Sequence, residues 1–531
     1  MRRKSFFLFL MGALTSLSML AGCGGVVDKS DKYTKDGRLI VSMRNLYFDA
    51  YRGGDDYMKD IEKQFKLSFK LDAYSWINWS QQVTGQVNGG NSPDVFHANV
   101  DSYNFKNTYL KWAEDKVTKP LPTDLSKWPN LKAMLENTTN IKALKVNGKL
   151  YGIPIAKNTT DYSTSFSPFT YMYRRDWAKQ YGVYQENDEY TWEQFKALLD
   201  KFAVELKSKN CYALGDEKWG YPSIVNFYKQ VPHCFAYDEK TGQYVNNYTT
   251  KEYIAGLEES HNFMQLGRYY PSENTANDSD VTKLYYGNKV GVLYENFSYS
   301  NYYTIKTKLK KSNVSVKNFN VDDAVAIMKV RGPDGKYALE GTDNWFSMTF
   351  FDYRISDEKQ EKILDLLDWL LGEEGTMFSV FGFEGYDYEL DKDGKPQIID
   401  SAWPKDKDTG EIAPKDNGAK YLRYLVSLGY DTLKDDPLTD KESIARLDEW
   451  DAEMKEALEN DELKVLKERE EVMWLTTNKK SSYSGTMRTD ALKYVRQYIS
   501  GTIKTIEDYE KKFGYPWSDV LEEINDAIGR K

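Results

Sequence analysis

The chain has 531 residues, with 81 acidic against 72 basic side chains, a formal net charge of −9, and only 3 His and 3 Cys. That length suggests more than one domain-sized core, the acidic balance makes a phosphate backbone a poor partner, so no nucleic acid is expected, and so few imidazoles and thiols leave little for a zinc or copper site. The 41 Tyr, 24 Phe and 13 Trp are a heavy aromatic load for so polar a chain, and such rings suit carbohydrate stacking as well as ordinary cores.

Residues 2 to 4 are basic, residues 6 to 20 are nearly all apolar or small, and the run ends in Leu20-Ala21-Gly22-Cys23. This is the pattern of a secretory signal, too short for a permanent membrane span of roughly 20 residues. Its last four residues resemble a bacterial lipobox, which implies a signal peptide over 1–22 and a lipid on the Cys23 thiol. The polar, glycine-bearing stretch 23–37 then reads as a flexible tether, placing the rest on the extracytoplasmic face of the cell membrane, held by the lipid anchor only. An outside location also permits a disulfide between Cys211 and Cys234.

Leu39, Ile40 and Val41 open a buried strand, and Met58, Ile61 and Phe65 follow at helical spacing before a second strand over 67–74. Trp79, Val83 and Val87 mark a second helix, and Pro93-Asp94-Val95-Phe96 begins a third strand. Strands alternating with helices predict a parallel sheet, whose ligands lie beyond the carboxyl ends of the strands. His97 reads as a cap or surface residue. Thr191 and Gln194 form a capping box before a helix with Phe195, Leu198, Leu199, Phe202 and Leu206 on one face. Ser356 starts another helix that predicts Gly372 at its C′ position, and 389–480 reads as a charged, helix-rich surface region. No repeat of 20 to 50 residues is present, which excludes a solenoid or propeller.

In order along the chain, Ser92-Pro-Asp-Val-Phe96, Leu150-Tyr-Gly-Ile-Pro154, Tyr171-Met-Tyr-Arg-Arg-Asp-Trp177, Thr191-Trp-Glu-Gln-Phe195 and Tyr286-Gly-Asn-Lys-Val-Gly-Val-Leu293 follow the lipobox. Together these motifs resemble the extracellular solute-binding proteins of carbohydrate ABC importers. Phe381-Gly-Phe-Glu-Gly-Tyr-Asp-Tyr388 and Tyr498-Ile-Ser-Gly-Thr502 are similar to the large lipoprotein subgroup of Gram-positive bacteria. The resemblance implies a two-lobed α/β protein of the periplasmic-binding-protein type, hinged by two or three crossing segments. It implies a monomer that closes on a sugar, an oligosaccharide given the chain's size, and delivers it to permease subunits served by a cytoplasmic ATPase. Polar stretches place crossings over 158–170, near Gly341 to Trp345, and near Gly372 to Gly385. Lobe one is then 38–160 plus 340–373, and lobe two 161–339 plus 374–531.

Sugar contacts are sought where aromatics stand beside amides and carboxylates at strand ends. On lobe one these are Tyr47 and Asp49, then Trp76, Asn78 and Trp79, then Asn99 and Asp101. Lobe two offers Glu295, Asn296 and Phe297 after the strand ending at Leu293, with Trp219 in a loop. The crossings offer Asn344 and Trp345, and Glu384 and Tyr386. Each has a plain alternative in turn capping or core packing. Asp391-Lys-Asp393-Gly394 has part of a calcium-loop pattern without the later ligands; the resemblance leaves a structural calcium open, and no other metal or cofactor is expected. The alternatives in function are a surface glycoside hydrolase or lyase, which needs a marked pair of carboxylates that the sequence does not show, and a receptor for peptides or other solutes on the same fold.

Overall fold

A computed structural model describes residues 29–529 apart from 77, 100–104, 159–168, 208–210, 217–221, 271–278, 406–411, 414, 430–438 and 474. Sheet one contains β1 (Leu39–Asn45), β2 (Leu67–Ala73), β3 (Val95–Ala98), β4 (Ile153–Ala156) and β13 (Trp345–Phe351), in the order β2-β1-β3-β13-β4. β1 pairs parallel with β2 and β3, and β13 runs antiparallel between β3 and β4. The crossover helices are Asp56–Gln64, capped by Asp55 Oδ1 accepting from Met58 N at 2.8 Å, and Trp79–Asn88. All four residues of β3 are buried because both sheet faces are covered, which is why its sequence shows no alternation.

Sheet two contains β5 (Phe169–Arg174), β6 (Glu189–Tyr190), β7 (Tyr212–Asp216), β10 (Val290–Asn296) and β11 (Val325–Val330), in the order β6-β11-β5-β10-β7. Its flanking helix Trp192–Lys207 starts at the expected capping box: Gln194 N donates to Thr191 Oγ1 at 3.3 Å, and Thr191 N to Gln194 Oε1 at 2.9 Å. The remaining strands form pairs: β8 (Phe235–Asp238) with β9 (Gln243–Asn246), β12 (Tyr337–Glu340) with β16 (Leu463–Leu466), and β14 (Tyr388–Leu390) with β15 (Pro396–Ile398). A helical extension of lobe two, with Lys251–Gln265, Asn478–Ile499 and Trp517–Ala527, buries its own core around Tyr248, Tyr253, Tyr509 and Trp517.

Two lobes thus stand on two sheets, and the chain passes between them three times: between Asn158 and Phe169, over Gly341 to Asn344, and between Gly429 and Thr439. The third is not near Gly372 to Gly385. Helices Glu373–Phe381 and Gly418–Arg423 pack onto sheet one, with Ala419, Leu422, Leu425 and Val426 in its core, and Ala156 N donates to Val426 O at 2.9 Å. The described residues of 374–429 therefore belong to lobe one, because the back of sheet one needs their apolar cover. Gly372 also differs from expectation. Its φ of −75° and ψ of 170° are extended rather than left-handed; it joins two helices, and a Cβ there would meet Asn130 Nδ2 at 2.9 Å.

The disulfide that an outside location permits is not formed. Cys211 lies against the core beside sheet two with its Sγ 3.3 Å from Asn288 O, whereas Cys234 is buried in the core of the helical extension, and neither is in a disulfide. Burial pushes the Cys234 thiol up to about 12.

Candidate functional site

The three crossings leave lobe one at one edge of sheet one. β1, β3 and β4 end there, β13 begins there, and Leu428 N donates to Ala156 O at 2.8 Å beside them. That edge faces the other lobe, and its geometry starts from Asn45. Asn45 Oδ1 accepts the N–H of Tyr47 at 3.0 Å and caps the short 3₁₀ turn Leu46–Ala50. The same oxygen accepts from His97 Nδ1 at 3.1 Å, and Asn45 Nδ2 reaches Tyr424 O at 3.4 Å. One buried amide therefore joins three segments that are up to 379 residues apart.

Above this amide the aromatic side chains form a row. Ring centroids of Trp79 and Trp76 are 6.5 Å apart, Trp76 and Tyr47 5.4 Å, and Tyr47 and Tyr424 4.7 Å. The row continues through Tyr421 at 6.3 Å from Tyr424 to Tyr51 at 5.1 Å from Tyr421. Trp76 is 48% exposed, and the other five rings are half-buried. The rings thus support one another and keep part of their apolar surface open, with the Tyr51 hydroxyl held by Asp55. Open aromatic faces of this kind suit the C–H faces of a sugar. Asp49 and Asn78 stand exposed beside the row, and Asn99 is half-buried after β3.

His97 supports the row from below. Its ring lies 6.2 Å from Tyr47 and 5.1 Å from Trp79, and it is wholly buried, against the expectation of a cap or surface residue. Burial pushes its pKa down to about 3, so the ring is neutral. His97 Nδ1 is bonded to Asn45 Oδ1, which also accepts from Tyr47 N–H, and Nε2 is bonded to the Ser347 hydroxyl, which donates to Phe346 O at 2.5 Å. Ser347 has φ +56° at the β-bulge that shifts the register between Trp345 and Met348.

A pH dependence follows from this burial. An unfolded His97 takes up a proton near pH 6.5 that the folded ring refuses until about pH 3, so its contribution is full above 6.5 and declines as pH falls. Compared with His97→Gln, the native chain should lose about 1.4 kcal/mol more stability per pH unit between about 6 and 4. Urea unfolding of both proteins across that range checks the difference; parallel curves would mean that the ring is not held neutral.

From lobe two, Phe169 at the start of β5 and Tyr294 near the end of β10 face the same way, 6.0 Å apart, with Tyr171 5.1 Å from Tyr294. Asn226 Nδ2 donates to Tyr294 OH at 2.8 Å, and these side chains line a cavity of about 30 Å³ with Lys329, Tyr337 and Trp450. Asp216, at the end of β7, accepts from Ser223 N at 3.0 Å and Ser223 Oγ at 2.7 Å; burial nevertheless raises its pKa to about 6.

No protein-family model matches the chain. Nor does any of the curated proteins. Among solved structures, it is similar to the alginate-binding protein AlgQ2 in a crystal structure without calcium ion, with a TM-score of 0.63 and 15% identity over 92% of this chain and 98% of that one. An extracellular solute-binding protein from Bifidobacterium longum subsp. infantis gives 0.61 and 13% over 93% and 99%. The S. pneumoniae ABC-transporter substrate-binding protein FusA in complex with kestose gives 0.61 and 14% over 93% and 100%. The chain has a solute-binding-protein fold.

Within that fold the expected contacts divide. Tyr47, Trp76 and Trp79 meet in the row, with Asp49, Asn78 and Asn99 at its margin. Asn344 and Trp345 face inward instead. The Trp345 indole is 5% exposed and donates to Thr139 O at 3.1 Å, while Asn344 Oδ1 accepts from Thr139 N at 3.0 Å. Phe297 is also core, 4.8 Å from Tyr302. Glu295 is buried and accepts from Thr282 Oγ1 at 2.7 Å, and Asn296 Oδ1 accepts from Ser298 N at 2.8 Å, so both serve local structure.

Glu384 and Tyr386 are exposed on lobe one, where Tyr386 lies beside Lys415, rather than in a crossing. Asp391 spends its carboxylate on the β14–β15 turn, accepting from Asp393 N and Lys395 N at 2.9 Å each. Asp101, Trp219 and Cys23 lie outside the described residues. Tyr421, Tyr424 and Tyr51 were not singled out from the sequence. The YLRY spacing of Tyr421 and Tyr424 puts both rings on one side of a helical turn, a weak local signal.

Proposed function

We propose that this chain is the extracytoplasmic solute-binding component of an ABC importer, and that it captures an oligosaccharide without chemical change. The observation that carries this reading is the six-ring row from Trp79 to Tyr51, set on the lobe-one edge from which every crossing leaves. The structure of FusA with kestose and that of the S. pneumoniae N-glycan transport protein NgtS with Man5GlcNAc belong to the same fold and support a sugar as the ligand class. Closure of the lobes would cover the row from the side of Phe169 and Tyr294, and a ligand that touches both lobes shifts the open-to-closed balance by its differential affinity. The closed form is then the signal to the permease subunits and their ATPase. A lipid on Cys23 would keep the monomer at the membrane.

The test is a melting-temperature and intrinsic-fluorescence screen against neutral and acidic oligosaccharides, amino acids and short peptides, with each mixture checked for products. One oligosaccharide class should raise the melting temperature saturably and be recovered intact; at a hundred times its Kd the added stability is about 2.7 kcal/mol. Cleavage of a sugar would replace the receptor by an enzyme, and stabilisation by peptides alone would replace the ligand class.

A further inference from the structure

From Val281 to Val321 the chain carries seven lysines and a single acidic residue, Glu295, although the whole protein is acidic. Glu295 is buried and bonded to Thr282, and the buried Lys306 is paired with Asp322 and Asp440. The other six lysines are exposed, and among them Lys308, Lys310, Lys311 and Lys317 are not ion-paired with a described residue. Asp323, in the following helical turn, holds Lys179 at 2.6 Å.

The same surface is apolar at its tip. Val314 is 87% exposed and Val316 51%, in the turn after the helix Tyr299–Ser312. Asn288 Nδ2 donates to Asn313 Oδ1 at 3.2 Å, which draws this turn against the turn before β10, where Lys289 is exposed. Favourable interaction with a helix C-terminus accounts for Lys310 and Lys311. It does not account for two bare valines between lysines.

The helix starts beside the cleft end of β10 and runs back for 14 residues, about 20 Å, so the patch lies at the end of lobe two remote from the cleft. Occupation of this patch leaves the aromatic row open.

We propose that this patch docks on an anionic phospholipid surface, with the lysines over headgroup phosphates and Val314 and Val316 dipping toward the acyl boundary. A cationic face on an acidic body favours this orientation toward a negative surface, and the exposed valines favour a lipid layer over a soluble polyanion. Lys29, 3.2 Å from Asp94 before β3, is at the remote end of lobe one. A lipid anchor upstream of Lys29 and the patch would then hold the molecule at both ends, with its long axis along the bilayer. The proposal stands apart from the sugar reading, since neither the row nor the crossings enter it.

The experiment is co-sedimentation of the chain from Lys29 onward, which contains every core described above, with vesicles of phosphatidylcholine alone or mixed with phosphatidylglycerol. Binding is expected only to the mixed vesicles and should weaken steeply with salt. Each lysine near the surface is worth roughly a fivefold change, so the chain carrying Lys308→Glu, Lys310→Glu, Lys311→Glu and Lys317→Glu should partition at least a hundredfold more weakly. A second protein with Val314→Ser and Val316→Ser should bind more weakly while keeping its salt dependence. Melting temperatures equal to the parent's show that both variants are folded. Equal binding to both vesicle types, no binding by the parent, or full binding by the lysine variant would overturn the proposal, and capture of an acidic protein without vesicle binding would make the patch a protein-docking surface.

Discussion

Alanine at Tyr47 is expected to weaken oligosaccharide binding by about 2 kcal/mol, roughly thirtyfold, more than alanine at any ring at the ends of the row. Tyr47 is the ring that meets the most others: Trp76 at 5.4 Å, Tyr424 at 4.7 Å and His97 at 6.2 Å. Its removal deletes one stacking face and leaves Trp76 and Tyr424 without lateral support, so two further faces lose their orientation. Trp76→Ala is a cleaner comparison. Nearly half of that side chain is already in solvent, so it should lower affinity about tenfold with the melting temperature unchanged. Tyr47→Ala should also cost about 1 kcal/mol of stability, because the ring is half-buried over His97. Titration calorimetry of the three proteins below their melting temperatures separates the effects. Unchanged affinity in both variants would place the ligand away from this edge and remove the observation on which the proposed function rests.

What the sequence showed of the fold follows from where the signals are local. The opening strands and helices are legible because the apolar residues Leu39 to Val41 and Val95-Phe96 alternate with helical spacing at Met58 and Ile61 and at Val83 and Val87. The signals read as crossings are local too: Pro154, which the structure places inside β4, and a Gly-Thr-Asp-Asn run over 341–344. The third crossing is hidden. The helix Gly418–Arg423 is only six residues long, too short to show a period, and the charged turns around it read as the start of a new lobe although Leu422, Leu425 and Val426 are buried on sheet one. Tyr421 and Tyr424 were missed for the same reason, since nothing near them announces an encounter with Asn45. His97 misled because a four-residue strand buried on both faces can take a polar side chain when two partners wait for it, and those partners lie 52 residues before it and 250 after it.

Trp345→Ala is expected to be the most destabilising substitution considered, by about 3–5 kcal/mol, while leaving affinity within about threefold at temperatures where the protein is folded. The position of this residue beside a crossing suggests a ring that swings onto the ligand. The bulge after it decides otherwise: the left-handed Ser347 shifts the register of β13 and turns the indole into lobe one, where its Nε1 donates to Thr139 O at 3.1 Å. Loss of the ring opens a cavity and leaves that carbonyl without its donor. Asn344 holds the same turn from the other side, with its Nδ2 donating to Asn137 O at 2.8 Å, so the lobe-one end of the crossing is clamped at Asn344 and Trp345. Asp343 is held on the same side, its Oδ1 accepting from Thr139 Oγ1 at 3.0 Å and Asn140 Nδ2 at 2.9 Å, and Lys157 Nζ, just before the first crossing, donates to Thr342 Oγ1 and Asp343 O at 2.7 Å each, which couples the two crossings. Urea unfolding with and without ligand discriminates. A lower midpoint with an unchanged ligand-induced increment means that Trp345 anchors the hinge; a midpoint near the parent's with a lost increment means that the ring faces the cleft.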